Sequence, residues 1–155
     1  MKPILHIEDL RVEARLPDGE VNPKPMVESV SLTLEPGEVL GLIGETGAGK
    51  TTTGLATLGY TRPGCAITGG RIIFDDVDLR SLTPEEIRKI RGRRIGYIAQ
   101  SAAASFNPAW RLKTQVGEVP VRHGLMNWSE ARKRSVEVFE ELNLPTPETF
   151  GEWFP

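Results

Sequence analysis

The chain is poor in the residues that build sites from sulfur and imidazole. It has one cysteine, Cys65, and two histidines, His6 and His123. A single thiol excludes an internal disulfide and a cysteine-built metal site, and it is the usage that a reducing compartment permits. The two histidines are far apart in sequence and show no ligand spacing, and no Ser-His-Asp or Cys-His arrangement can be argued. Long apolar runs are also missing. The longest resemble Val39 to Ile43, whereas a helix that crosses a bilayer needs about 20 apolar residues. The opening MKPILHIEDL carries no apolar run of signal-peptide length, so the chain is expected in the cytoplasm unless a partner tethers it. An excess of one charge is absent too. Nineteen Lys and Arg face 21 Asp and Glu, for a net charge of −2 and a pI near 5.8, which predicts no bulk attraction to nucleic acid. What remains is an ordinary globular composition, 39% hydrophobic and 26% charged over 155 residues, long enough to bury roughly 70% of the unfolded surface.

The pattern along the chain begins as β. Ile4 to Val12 and Met26 to Leu34 carry apolar and β-branched residues in partial alternation. Between them LPDGEVNPKP predicts a loop, and EPGE, residues 35–38, a tight turn. VLGLI, residues 39–43, reads as a strand buried on both faces of a parallel sheet. KTTTGLATLGY predicts a helix with Leu55, Ala56 and Leu58 turned inward and Gly59 as its stop. TRPGCAITGG reads as a loop, and GRIIFDDVDL as a strand and turn, with Asp75, Asp76 and Asp78 lacking the spacing of a calcium loop. In LTPEEIRKIRG, Thr83 is the expected N-cap, Pro84 the first helical residue and Glu86 the partner in a capping box. Ile87 and Ile90 face inward. The adjoining Arg88, Lys89, Arg91, Arg93 and Arg94 read as a solvated helix end. RRIGYIAQ, residues 93–100, predicts a second buried strand that stops at Gln100 and enters the small-residue loop SAAASFNPAW. The last third turns helical, with Ala131, Val138, Phe139 and Leu142 at helical spacing and Ser129 as N-cap.

The stretch with the sharpest chemistry is Gly44-Glu45-Thr46-Gly47-Ala48-Gly49-Lys50-Thr51, followed by Thr52. It fits Gly-x-x-x-x-Gly-Lys-[Ser/Thr] between a predicted strand and a predicted helix. Glycines let the backbone turn its N–H groups into one concavity that suits an anion. Lys50 is placed to reach terminal phosphates, the Thr51 hydroxyl to ligate Mg²⁺, and Thr52 to offer an amide to an inner phosphate. ATP and Mg²⁺ are therefore the expected cofactors, with residues 44–52 as the binding set.

The loop GETGAGKT, the segment RRIGYIAQ about fifty residues later and the following SFNP together resemble an ABC-transporter ATPase subunit, nearest to the oligopeptide, dipeptide and nickel importers. LRVEARLPDGEV, EPGE and LTPEEIRKIRGRRI resemble that subgroup as well, and the likeness covers nearly the whole chain. It implies an α/β fold of the phosphate-loop NTPase type. Residues 1–100 would form a β-rich subdomain and an incomplete nucleotide core, and residues 101–155 the start of a helical subdomain. It implies an ATPase coupled to import of a peptide-like solute, working at the cytoplasmic face of the membrane with a second ATPase subunit and membrane permease subunits. In such proteins the residue matching Gln100 contacts Mg²⁺ and the attacking water, so Gln100 joins Lys50 as a catalytic expectation and Thr51 as a metal one. Phe106, Trp110 and Trp128 are open between partner contact and core packing.

Three features depart from the family pattern. Ala14 stands where the family carries an adenine-stacking aromatic, with Arg15 as a substitute platform. Ser101-Ala102 stands where Asp-Pro is frequent. The serine-glycine-glycine signature, the strand ending in Asp-Glu (Walker B) and the switch histidine do not occur in these 155 residues. The resemblance then implies that this stretch alone binds nucleotide weakly, hydrolyses it poorly and tends to associate through open sheet edges. A non-hydrolysing nucleotide-binding regulatory module is the alternative. A phosphate-loop GTPase is disfavoured, since no Asn-Lys-x-Asp run is present.

Overall fold

The computed structural model describes residues 2–16, 22, 24–101 and 105–155. Parts of the loops expected at LPDGEVNPKP and SAAASFNPAW, residues 17–21, 23 and 102–104, lie outside the described residues, as does Ala102 of the Ser101-Ala102 departure. Two compact units are formed, Met1–Ile95 and Gly96–Pro155.

The first unit is built on a four-stranded antiparallel sheet in the order β2-β1-β3-β4, from β1 (Leu5–Ala14), β2 (Val27–Leu34), β3 (Cys65–Phe74) and β4 (Val77–Asp78). Central β1 explains why its alternation is only partial. Ile7, Leu10 and Val12 are all fully buried, although a strict period of two would put Ile7 and Leu10 on opposite faces. An irregularity between Ile7 and Leu10 inserts one extra residue, with Asp9 at φ 46°, and returns Leu10 and Val12 to the core. Ser29 donates to Asp9 Oδ1 at 3.0 Å, and Asp9 N–H donates to Ser31 Oγ at 2.9 Å, fastening the irregularity to β2. Opposite it, Gly70 sits at φ 80°, and a Cβ there would stand 2.3 Å from the Glu8 carbonyl oxygen. β3 therefore starts at Cys65, inside the stretch read as a loop. Its glycine pair serves the bend in β1 and does not end the strand.

α1 (Lys50–Ala56) lies on the core of this sheet. Leu55, Ala56 and Leu58 are buried as expected, and Ala56 belongs to the cluster of Ile7, Leu10, Val12, Val27, Ile72, Phe74 and Leu79. Each large apolar side chain so buried contributes about 1.5–3 kcal/mol. The helix stops at Gly59, where Gly59 N–H donates to Ala56 O and Tyr60 N–H to Leu55 O, the paired closure of a Schellman motif. α2 (Pro84–Ile90) begins in the expected capping box, with Thr83 Oγ1 accepting from Glu86 N–H and Glu86 Oε2 from Thr83 N–H. The Thr83 amide holds the Glu86 carboxyl below its ordinary range. Ile87 and Ile90 are half-buried.

The basic run after α2 is not wholly a solvated end. Arg91 donates to the carbonyls of Leu58 and Gly59 at 2.8 and 2.6 Å and lies over the Tyr60 ring, tying α2 to the end of α1. Arg94 pairs with Asp75 and covers Phe74. Asp75 and Asp76 take positive φ in the turn after β3, and Asp78 caps a 3-10 turn over Leu79–Ser81.

The two strands expected to be buried are not strands here. Residues 39–43 lie outside any ladder, with Val39 and Ile43 at 94% and 99% exposure. Residues 93–100 contribute only one parallel bridge, Arg91 to Ile95, and Ile98 is 96% exposed. An apolar strand is buried only when neighbouring strands flank it and helices cover it. Among the described residues no strand pairs with either segment.

The second unit contains α3 (Leu112–Arg122), α4 (Trp128–Glu141) and α5 (Pro147–Phe150). α3 was not singled out from the sequence, and Pro120 lies inside it. Its first amides are satisfied from outside: Leu112 N–H donates to Trp153 O and Lys113 N–H to Gly151 O. α4 is capped by Asn127, whose side chain accepts from the amides of Ser129 and Glu130. Asn127, with Glu130 as its capping-box partner, takes the role expected of Ser129. Ala131 and Phe139 are buried in α4 and Leu142 is exposed. Phe139 meets Phe150 edge-on at 5.1 Å, and Phe150 meets Trp153 at 5.2 Å. Glu152 accepts from Arg111, Lys113 and Arg132 at 2.7–3.0 Å. The hydrogen bond from Lys113 is the main reason its carboxyl stays below the ordinary range.

Two outcomes test this description. Gly70→Ala should destabilise the first unit by about 1–3 kcal/mol, read from urea melts, because a side chain at that φ meets backbone it cannot displace. The 155-residue chain should self-associate through residues 39–43 and 97–98. The double change Ile43→Lys, Ile98→Lys should lower the aggregated fraction in light scattering without altering the far-ultraviolet circular dichroism. A monodisperse parent chain at tens of micromolar would contradict this.

Candidate functional site

The loop 44–49 leaves the exposed run 39–43 and ends where α1 begins. Its position is set at its last glycine. Gly49 has φ 84°, and a Cβ on it would lie 2.7 Å from the Met26 carbonyl oxygen and 3.2 Å from Val27 Cγ2. The chain can therefore pass against the start of β2 only as glycine. Gly47 also takes positive φ, at 88°, within the turn at Thr46-Gly47. Residues 41–48 are exposed throughout, so the loop stands in solvent and is held by its ends.

The side chain that organises the loop is Lys50. Its Nζ donates to Gly44 O at 2.6 Å and to Glu45 O at 2.7 Å. Glu45 O also accepts from Ala48 N–H at 3.1 Å. The ammonium is thereby folded back across the loop. The first intrahelical bond of α1 is Thr53 N–H to Gly49 O at 2.8 Å, so the amides of Lys50, Thr51 and Thr52 precede the helical ladder. Gly49 provides no side-chain cap for them. Thr51 is exposed, Thr52 half-buried and Thr53 buried, so the threonine run passes from solvent to core within one turn. One cation, a file of backbone amides and an exposed hydroxyl thus occupy one continuous stretch, which suits a multiply charged oxyanion.

All nine loop residues read from the sequence, Gly44 to Thr52, fall in this stretch. Gln100 belongs to the second unit, exposed at a bend. Ala14 is half-buried in register with Cys65. Arg15 is exposed, its amide bonded to Gly64 O at 2.7 Å. Sequence reading missed the Met26-Val27 support beneath Gly49. The only available signal was that a strand opening must lie close to a cradle whose last glycine admits no side chain.

The family model described as ABC transporter matches residues 27–150. The oligopeptide transport ATP-binding protein OppD of Bacillus subtilis (strain 168) is 33% identical over 153 residues, covering 98% of this chain and 42% of that protein. OppD of Escherichia coli (strain K12) is 32% identical over 152 residues, with 98% and 44% covered. The dipeptide transport ATP-binding protein DppD of Bacillus subtilis is 34% identical over 148 residues, with 95% and 43% covered. The chain thus spans under half the length of these relatives. A dimeric post-hydrolysis structure of the ATP-binding cassette MJ0796 bound to ADP and Pi matches with a TM-score of 0.77 at 22% identity, over 97% of this chain and 61% of that one. That likeness establishes the fold, the N-terminal part of an ABC ATPase cassette. On the family match and the architecture together, this chain belongs to the ABC transporter family.

Proposed function

We propose that the chain carries the nucleotide-gripping part of the ATP-binding subunit of a peptide or dipeptide importer. The observation that carries this reading is Lys50 Nζ, held on the Gly44 and Glu45 carbonyls at the mouth of a loop whose last glycine is pressed against β2. Bound ATP would lay its phosphate tail along residues 44–52. Lys50 would turn from the two carbonyls to the terminal phosphates, the amides of Gly47 to Thr52 would take the remaining oxygens, and Thr51 would offer its hydroxyl to Mg²⁺. When bound, Mg²⁺ draws the phosphate oxygens together and offsets their charge. Among the described residues no group of three or more His, Cys, Asp or Glu stands ready to hold a metal. Thr51 would hold Mg²⁺ through its hydroxyl and Gln100 through its side-chain carbonyl oxygen.

Gln100 would sense the ion and the attacking water from the second unit, and residues 101–155 would begin the helical subdomain that meets the permease. A second ATPase subunit and membrane permease subunits are the partners this reading implies, with the chain peripheral at the cytoplasmic face of the membrane. No helix among the described residues is long and apolar enough to cross a membrane, so attachment would run through the permease. The names of the relatives, which specify oligopeptide and dipeptide transport, support a peptide-like cargo. No Asp-Glu dipeptide occurs in these 155 residues. Without carboxylates to position water and metal, phosphoryl transfer loses much of its electrostatic support. The polypeptide of these residues alone would bind ATP and be deficient in hydrolysing it.

The binding half is tested by equilibrium titration with labelled ATP. Lys50→Ala should weaken binding at least about tenfold, since a charge-assisted hydrogen bond contributes about 1.5–3 kcal/mol. Gly49→Ala should abolish binding by displacing the loop from β2. Unchanged affinity in Lys50→Ala would remove the cradle assignment. The turnover half is tested by phosphate release. The 155-residue chain should stay at background with ATP and Mg²⁺, and Gln100→Ala should reduce the gain in affinity that Mg²⁺ gives. Steady hydrolysis by this stretch alone would show that other residues supply the chemistry.

A further inference from the structure

The sheet of the first unit carries a corner of sulfur beside the loop 44–49. Met26 stands just before β2, its amide donating to Val12 O at 2.8 Å. Its thioether accepts from the Cys65 thiol at 3.4 Å, although β1 lies between β2 and β3. The two side chains therefore meet across the end of β1. Cys65 pairs directly with Ala14, and directly paired residues share a face of the sheet. Ala14 shares that face with Val12 by strand alternation, since the register between them is unbroken. Val12 is fully buried in the core on which α1 lies. The sulfur pair and the Ala14 methyl thus form the outer corner of the face that carries α1.

This corner is open and adjoins the phosphate-suited stretch. Met26 keeps 42% of its surface exposed, and Cys65 and Ala14 are half-buried. The carbonyl that would stand 2.7 Å from a Cβ on Gly49 belongs to Met26 itself. A ligand whose phosphates follow residues 44–52 therefore has an apolar surface beside the opening of α1. The chemistry of that surface suits a flat ring. Thioether and thiol sulfurs are polarizable and make favourable contacts with aromatic rings. Their hydrogen bonding is weak, and Ala14 adds none. Such a corner holds the face of a ring and does not read its edge.

We propose that Met26, backed by the Cys65 thiol, is the surface on which the purine ring of a bound nucleoside triphosphate rests, and that this contact does not distinguish adenine from guanine. The proposal rests on the reading of residues 44–52 as a phosphate cradle and adds to it the residue that meets the base.

Displacement of labelled ATP from the 155-residue chain gives the affinities of ATP, GTP and ribose 5-triphosphate, which keeps the ester and the charge but lacks the base. ATP and GTP should agree within about threefold, and both should bind about two- to tenfold tighter than ribose 5-triphosphate, the range that a sulfur–aromatic contact supplies. Met26→Ala should remove most of that gap and leave ribose 5-triphosphate at parental affinity, which also shows that the variant is folded. Met26→Thr, which suits a strand opening, should do the same. The proposal is overturned by equal affinity of ATP and ribose 5-triphosphate in the parent, or by an unchanged gap in both Met26 variants. A preference for ATP over GTP beyond about tenfold would also overturn it, because that requires polar groups at the base edge. The two readings fail differently. An unchanged gap in the Met26 variants, with all three ligands weakened in Lys50→Ala, removes the role of Met26 alone. Parental affinity for all three ligands in Lys50→Ala removes the cradle and the role of Met26 together.

Discussion

The first unit depends on one close approach, that of the Gly49 backbone to the Met26 carbonyl and the Val27 methyl. It brings the end of an otherwise solvent-borne loop onto the opening of β2. From there α1 can lay Leu55 and Ala56 on the sheet. Any side chain at Gly49 would meet backbone, which cannot swing away as a flexible side chain would. The loop itself contributes little burial. Its shape follows from the fixed end at Gly49 and the internal tie from Lys50 to two carbonyls. Core packing and candidate site are thus connected through a single residue without a side chain.

The second unit is organised by polar ties around an aromatic centre. The amides that open α3 are taken up by the carbonyls of Gly151 and Trp153, and the side chain between those two residues, Glu152, gathers three cations. The turn after α5 therefore satisfies both the backbone and the charges of the helix start. Phe139, Phe150 and Trp153 fill the space behind it.

Local signals were legible in the sequence where the physics is local. The glycine-rich turn before α1, the capping box at Thr83 and Glu86, the stop at Gly59 and the inward face of α1 all follow from residues within a few positions of one another. Features that need a distant partner were not legible. The extra residue at Asp9 shows only as imperfect alternation, because its cause is pairing with β2 and with Gly70. The glycine pair in β3 read as a loop for the same reason. Pro120 hid α3, although a proline's missing N–H concerns only one rung of a helix. Ser129 and Asn127 are both good capping residues, and the choice between them rests on Glu130 standing three places after Asn127. The runs VLGLI and RRIGYIAQ have the composition of buried strands, but composition cannot supply the neighbours that make them so.

The ammonium of Lys50 has two hydrogen-bond partners within its own loop. Its two carbonyl partners tie α1 back across the loop at Gly44 and Glu45. An anion that took Lys50 would replace those partners at nearly constant hydrogen-bond count, so the net gain would be smaller than the gross strength of the new contacts. A contact of that kind would be held reversibly, because the partners given up are as close at hand as those gained.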